Sequence, residues 1–231
     1  MEMMFAPDVH PLVPIHGSDQ QFYVHRIYCV GRNYAEHAKE MGGTGREAPF
    51  FFMKPADAVL PVATGATGDM PYPAKTKNLH HEIELVVAIG KSGSEIPADQ
   101  ALQHIWGYAI GLDMTRRDLQ AESKQHGRPW CTAKGFDFSA PISEIYPCSA
   151  TSLLPDADIS LLVNGAVRQQ GQLDQMIWSI PEIISELSQY YHLQAGDLIF
   201  TGTPSGVAAV SQGDILEGRI DGLGELRVQI V

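Results

Sequence analysis

Three acids stand where chemistry would need them. Glu82 and Glu84 lie two apart in NLHHEIELVVAIG, and Asp113 closes the stretch WGYAIGLD. Side chains alternate along a strand, so Glu82 and Glu84 share one face with Val86 and Ala88, and Ile83, Leu85, Val87 and Ile89 share the other. Both faces turn apolar downstream, which predicts a strand covered on both sides. Carboxylates in such a place are costly unless a positive charge faces them. Three hard oxygen ligands converging on one cation would suit Mg2+, Mn2+ or Ca2+ better than zinc. His80 shares their face and could ligate, although a place behind the ligands fits it better. The competing reading is an edge strand with its acids in water, and the residues alone leave the two level.

A second constellation lies in GRNYAEHAKEMG, read as a short helix closed by Gly42 and Gly43. His37 and Glu40 are i,i+3 neighbours, so a carboxylate could orient an imidazole as the general base for a water molecule. Such pairs are also common and idle on exposed helices. Arg32 and Lys134 are isolated cations, candidates to hold an anionic substrate or simply solvated surface charge. Other familiar motifs lack their central residues. Gly90–Ser92 recurs as the tail of a phosphate-binding loop, but Leu85 stands where its earlier glycine is required; Leu85 also fills the second histidine position of a zinc-protease HExxH. There is no GxGxxG after a strand and no GxSxG elbow.

Composition narrows the class. The 231 residues carry a formal charge of -11, with 27 acidic against 16 basic side chains, and no Lys/Arg-rich run offsets that balance. A nucleic-acid partner is therefore not expected. Apolar residues at 44% and charged ones at 19% describe a globular chain able to bury a sizeable core. Cys29, Cys131 and Cys148 are odd in number and widely spaced, which argues against a disulfide framework and for a reducing cytoplasm. MEMMFAPDVHPLVP lacks the basic and apolar regions of a signal peptide, and no apolar run approaches the ~20 residues of a membrane span. A cytoplasmic protein without a membrane partner is the expectation.

The elements that must position these residues are mostly strands. RIYCVGRNY reads as a strand running into a loop, PFFFMKP as a short apolar strand, and Leu60 to Lys77 as a long loop. WGYAIGLDM is a strand in which Gly107, Ala109 and Gly111 share the face of Asp113. PADQALQHI reads as a short helix, and TRRD opens another with a Thr-x-x-Asp cap. Asn164-Gly165 joins two strands in ISLLVNGAVRQQG. Ser179 and Glu182 form a capping box for a helix burying Ile183, Ile184, Leu187 and Tyr191. DLIFTGTPSGV is a strand emptying into a Gly/Pro turn. Strands outnumber helices and rarely alternate with them, which predicts one sheet-dominated α+β domain behind a short extension at residues 1–25.

In this order, GRNYAEHAKEMG, FFMKP, HHEIELVVAIG, GLDMTRRDLQ, WCTAKGFD, MIWSIPEIISELS and GDLIFTGTPSGV resemble the motifs of the fumarylacetoacetate hydrolase superfamily, over residues 26–231. The likeness is greatest to its short acylpyruvate hydrolases, those acting on fumarylpyruvate in gentisate- and salicylate-type aromatic catabolism among them. It implies a mixed β-sandwich roll with few short helices, a homodimer, and a Mg2+ or Mn2+ ion, with Ca2+ a possible substitute in crystals. By the resemblance, the metal ligands fall on Glu82, Glu84 and Asp113, and a water-activating dyad on His37 and Glu40 in a segment that closes over ligand. Lys134 falls at the developing oxyanion; Arg32, Arg117, Gln120, Gly202 and Thr203 fall on the substrate side. The implied reaction is hydrolysis of a 2,4-dioxo acid to pyruvate and a carboxylic acid. Oxaloacetate decarboxylation, isomerisation or hydration on the same scaffold are the alternatives, with a non-catalytic metal-dependent binding protein behind them. A fumaryl group would need a further cation for its far carboxylate, for which Arg46, Arg128 and Arg168 are candidates.

Overall fold

Strand Ile83–Ile89 is buried at every residue and feeds three separate apolar clusters. Ile83 and Leu85 enter the first, Val86 and Ala88 the second, Val87 and Ile89 the third. The structure, a computed structural model, describes residues 10–36, 46–151, 153 and 155–231. In it this strand lies at the middle of an eight-stranded mixed sheet. On one side come Leu198–Phe200, Ile27–Gly31 and Phe50–Lys54; on the other, Ile105–Leu112, Ala140–Ile142 and Val59–Pro61, with Tyr146–Pro147 also beside Ile105–Leu112. Two of these pairings are parallel, Leu198–Phe200 with Ile27–Gly31 and Ala140–Ile142 with Val59–Pro61.

A five-stranded sheet packs over one face. Its Ile159, Leu161, Leu216, Leu226 and Val228 meet Ile83, Leu85, Ile110 and Leu112. Full burial of each such side chain contributes about 1.5–3 kcal/mol. Further along the same face the helix Ile180–Tyr190 sets Ile183, Ile184 and Leu187 against Val87 and Ile89, while Val86 and Ala88 on the other face meet Val13, Phe22 and Val24. The architecture is α+β, a mixed β-sandwich roll with few helices. Among the described residues no helix is long and apolar enough to cross a membrane.

Local signals account for much of this. Asn164 and Gly165 both have positive φ, the conformation that a two-residue turn between right-twisted strands requires, and they join Asp158–Val163 to Ala166–Gln172. Ser179 donates to Glu182 Oε2 from its backbone N–H (2.9 Å) and its hydroxyl (2.8 Å), closing the capping box. Tyr191 differs from expectation: it follows the helix, is 37% exposed and leans on Tyr28.

Other segments depart for identifiable reasons. The stretch read as a loop from Leu60 contains the strand Gly68–Met70, which exists because it pairs in parallel with Val228–Ile230, a long-range partner invisible locally. PADQALQHI is a 3-10 helix, Ala98–His104. The Thr115 cap is absent. The helix starts at Arg117; Thr115 Oγ1 instead donates to Asp113 O (3.0 Å), and Asp118 accepts from Thr76 Oγ1 (2.6 Å) and Lys77 N (3.0 Å). Residues 12–23 form a small hairpin whose Val13 packs, with Val24, beside Ile27 and Cys29 of the main sheet. Of YAEHAKEMG, only residues 34–36 are described; the rest of the expected helix, with His37 and Glu40, lies outside the described residues.

Candidate active site

Antiparallel pairing explains why the three acids meet. Glu84 sits opposite Gly111, Ile83 opposite Leu112, and the Asp113 N–H donates to Glu82 O (2.8 Å). Asp113 therefore arrives beside Glu82 as its strand ends. A Cβ on Gly111 would sit 2.5 Å from Phe200 and 2.6 Å from Val86, so the small residues of that face are spent on close packing within the sheet. One ligand atom from each of Glu82, Glu84 and Asp113 lies within 4.8 Å of the others, and all three residues are buried. This is the spacing a single divalent ion needs, and oxygen-only donors suit Mg2+ or Mn2+. Burial, and then the charges of Asp113 and Glu82, push the Glu84 carboxyl well above the carboxylate range. A cation placed among them would relieve that repulsion, so the residues fit a metal.

Three protein cations already face the acids. Lys134 Nζ donates to Glu82 Oε2 and Asp113 Oδ2, at 2.7 Å each. Lys54 Nζ pairs with Asp113 Oδ1 at 2.8 Å and donates to Met114 O (3.2 Å) and Lys134 O. Arg117 donates to Glu82 Oε1 and, at 2.6 Å, to Gln120 Oε1. Burial alone would push the Lys134 ammonium down, but Asp113 and Glu82 outweigh it and hold it up. His80 stands behind this layer, against Asn78 Oδ1 (2.9 Å) and Arg117 Nε (3.4 Å). Burial and the Arg117 charge lower it to about 4, so it is neutral at pH 7.

The turn after Leu198–Phe200 forms the other wall. Gly202 donates its N–H to Glu84 Oε2 (2.8 Å) from a φ of +100°, where a Cβ would lie 2.6 Å from Asn33 Cβ. Asn33 ties this turn to the segment before the helix Ile180–Tyr190, donating to Thr201 O (2.8 Å) and Trp178 O (2.9 Å). From the second sheet, Gln169 reaches in and is saturated. Its Oε1 accepts from Ile83 N (3.1 Å) and faces His81 Nδ1 (2.8 Å); its Nε2 donates to Thr203 Oγ1 and Pro204 O, at 2.8 Å each. A peptide N–H only donates and a carbonyl only accepts, so the amide orientation is fixed and His81 carries its proton on Nδ1. Thr203 Oγ1 is thereby an acceptor for Gln169, and its own proton is left for the cavity.

A narrow cavity opens above the acids, lined by Arg32, Phe50, Phe52, Trp130 and Thr203 together with the carboxylates, Arg117, Gln120 and Lys134. The structure thus brings together Glu82, Glu84, Asp113, Lys134, Arg32, Arg117, Gln120, Gly202 and Thr203. Arg46, Arg128 and Arg168 do not line it. Arg46 pairs with Glu182 (2.5 Å) over the Trp178 ring, Arg128 lies 3.4 Å from Glu122, and Arg168 is exposed on the far sheet. Sequence reasoning passed over Lys54, Asn33 and Gln169, and over Lys124 beside the Trp130 wall of the cavity. Lys54 had a signal, a lone lysine ending four apolar residues before a proline. Lys124 had one too, lying four residues after Gln120 and seven after Arg117 on one helix.

The comparisons with known proteins agree with this geometry. The crystal structure of fumarylpyruvate hydrolase from Pseudomonas aeruginosa in complex with Mn2+ and pyruvate superposes with a TM-score of 0.97 at 57% identity, covering 100% of this chain and 99% of that one. A fumarylpyruvate hydrolase of Ralstonia sp is 47% identical over 184 residues, 80% of this chain and 93% of its own length. The mitochondrial oxaloacetate tautomerase FAHD1 of Rattus norvegicus is 44% identical over 207 residues, 88% and 90% of the two chains. The family model for the C-terminal part of fumarylacetoacetate (FAA) hydrolase matches residues 26–231, and the chain belongs to that family.

Proposed function

We infer that this protein hydrolyses the C3–C4 bond of acylpyruvates, fumarylpyruvate foremost, giving pyruvate and a carboxylic acid in the breakdown of aromatic compounds. One observation carries the reading: three buried carboxylates converge within 4.8 Å under a cavity in a chain 57% identical, end to end, to a fumarylpyruvate hydrolase that holds Mn2+ and pyruvate. Glu82, Glu84 and Asp113 would hold Mg2+ or Mn2+, which when bound supplies a Lewis acid for the pyruvyl oxygens.

The residues divide the remaining work. Glu82, Glu84 and Asp113 are matched in charge by Lys54, Lys134 and Arg117, so a divalent ion leaves the site positive by its own charge. That suits a substrate with two carboxylates. Lys134 has three N–H donors and spends two on Glu82 and Asp113, which leaves the third for the oxyanion at C4. Thr203, which lines the cavity with its hydroxyl proton unclaimed by Gln169, can donate there too, and Gln120 and Arg32 complete the substrate side. His37, oriented by Glu40, takes a proton from water, and the hydroxide adds to C4. The C3–C4 bond breaks with its electron pair going to C3, which takes up the proton to give pyruvate, while C4 leaves as the carboxylic acid.

The tautomerase relative favours a second reading, enolisation or decarboxylation of oxaloacetate. Neither needs an attacking water. The test is loss of fumarylpyruvate enol absorbance with pyruvate measured in parallel, before and after chelation and Mn2+ return. Metal-dependent pyruvate release, lost in His37→Ala with Mn2+ binding intact, is the expected result. No pyruvate from fumarylpyruvate, or a His37→Ala variant as fast as wild type, refutes the hydrolytic reading. We also propose a cytoplasmic homodimer. Free Cys29, Cys131 and Cys148 support a reducing compartment, and an apolar cavity lined by Leu102, Leu153, Met176 and Ile180 supports a second copy as its cover. A monomeric mass by light scattering would refute the dimer.

A further inference from the structure

We propose that Lys124 determines substrate specificity: with Arg32 it binds a carboxylate at the far end of the acyl group, laid along an aromatic wall of Phe50, Phe52 and Trp130. This rests on the acylpyruvate reading above and names the part of the site that would read the acyl group.

The wall leads outward from the reacting end. Lys134 Nζ lies 5.0 Å from the Phe52 ring centre, Phe52 meets Trp130 edge-on at 5.7 Å, and Lys124 Nζ stands 5.6 Å from the Trp130 centre. Phe50 meets Trp130 edge-on at 5.5 Å and carries the Arg32 guanidinium at 5.8 Å. Two cations therefore flank the rim of an aromatic face whose inner end is the Lys134 ammonium. Flat, conjugated groups pack well on aromatic faces, and a fumaryl arm is flat, conjugated and ends in a carboxylate.

The inner cations are committed, and the outer ones are not. Arg117 and Lys134 bond Glu82 and Asp113. Among the described residues neither Arg32 nor Lys124 has an ion-pair partner, and Arg32 Nε is buried without a hydrogen bond. Burial, and then the charges of Arg32 and Arg117, push the Lys124 ammonium down to about 8. Cations crowded without an anion between them form a place for one. Helical spacing puts Arg117, Gln120 and Lys124 on one face; the first two line the cavity, and Lys124 stands beside its Trp130 wall.

The test uses two substrates with the same pyruvyl end, fumarylpyruvate and acetylpyruvate, the latter with a methyl in place of the carboxylate-bearing arm. With Mn2+-loaded full-length protein, Lys124→Gln should raise the KM for fumarylpyruvate about fivefold to tenfold, the worth of one partly desolvated ion pair. Its KM for acetylpyruvate should stay within about twofold, and Lys124→Arg should restore most of the loss. Equal rises for both substrates, or none for fumarylpyruvate, overturn the proposal. Calorimetric binding of fumarate and crotonate, the same trans-alkene with and without a second carboxylate, separates this result from the reaction itself. A preference for fumarate that Lys124→Gln removes supports the subsite even if no acylpyruvate is hydrolysed. A preference that survives the substitution overturns it even if hydrolysis is fast.

Discussion

Lys54→Met is the most informative single change, because Lys54 holds the site together without facing substrate. Its side chain is fully buried, pairs with Asp113 Oδ1 at 2.8 Å and donates to Met114 O and Lys134 O. Methionine keeps the volume and removes the charge and the donors. At an effective dielectric of ~20 a unit pair at that distance is worth about 6 kcal/mol before solvation is counted. Breaking buried pairs typically costs about 3–5 kcal/mol, since the abandoned carboxylate stays in the interior. In a chain of this size each kcal/mol moves Tm by about 2–4 °C, so the metal-free variant should melt about 6–20 °C lower. The same loss makes the acid cluster more negative and so a better cation site. Mn2+ should then raise Tm more in Lys54→Met than in wild type, by about 1.4 kcal/mol for each tenfold gain in affinity. Thermal melts of both proteins, chelated and then saturated with Mn2+, test both halves. A chelated variant within about 2 °C of wild type, or an equal Mn2+ shift in the two proteins, would refute the reasoning.

Glu84→Gln removes the carboxylate most crowded by its neighbours; the chelated protein should melt no lower than wild type, while its Mn2+-induced shift in Tm should vanish. Gly202→Ala forces a Cβ to within 2.6 Å of Asn33 at a φ of +100° and should destabilise by about 1–3 kcal/mol, with a fall in kcat that urea denaturation and steady-state kinetics would register together. Glu182→Gln should cost about 1 kcal/mol at neutral pH through the weakened cap. Hydrogen bonds from Ser179 and then Arg46 hold Glu182 below its ordinary value, so its contribution is present above the unfolded carboxylate pKa and is lost as pH falls through the folded one. Melts of wild type and variant should therefore converge only as the pH falls below the ordinary carboxylate range; a gap that stays constant with pH would contradict this.

How much of this was legible depends on whether a partner was local. Ile83 to Ile89 announced itself because its residue types alternate and stay apolar, and Asn164-Gly165 and Ser179/Glu182 are signals contained in a few residues. The strand Gly68–Met70 was not legible, because its cause is Val228–Ile230 at the other end of the chain. Thr115 looked like a cap, yet Thr76 and Lys77 claim the Asp118 carboxylate, and no spacing reveals that. In the site, the three acids could be named from their faces, but not that Lys54, Lys134 and Arg117 would bring three positive charges to Glu82 and Asp113. Gln169 was silent for the same reason: an exposed-looking QQ in a hairpin gives no hint that one glutamine crosses to the other sheet.

That balance of three cations against three acids answers why an acidic protein can favour an anion. A cluster of three bare carboxylates would bind metal tightly but would fold poorly and splay apart without it. Lys134, bonded to both Glu82 Oε2 and Asp113 Oδ2, and Lys54, paired with Asp113 Oδ1, hold these two carboxylates converged beforehand, so metal binding needs little rearrangement. Because those lysines stay when the ion arrives, the ion's charge is not cancelled by its ligands and remains available to the substrate. The formal charge of -11 acts over the surface, where salt screens it within about 10 Å, whereas the buried excess acts at contact distance in a poorly screened cavity. The local sign therefore decides what enters. On this account, replacing Lys134 with Met would tighten Mn2+ binding while weakening that of a dicarboxylate such as fumarate, and calorimetry that showed both affinities falling together would break the argument.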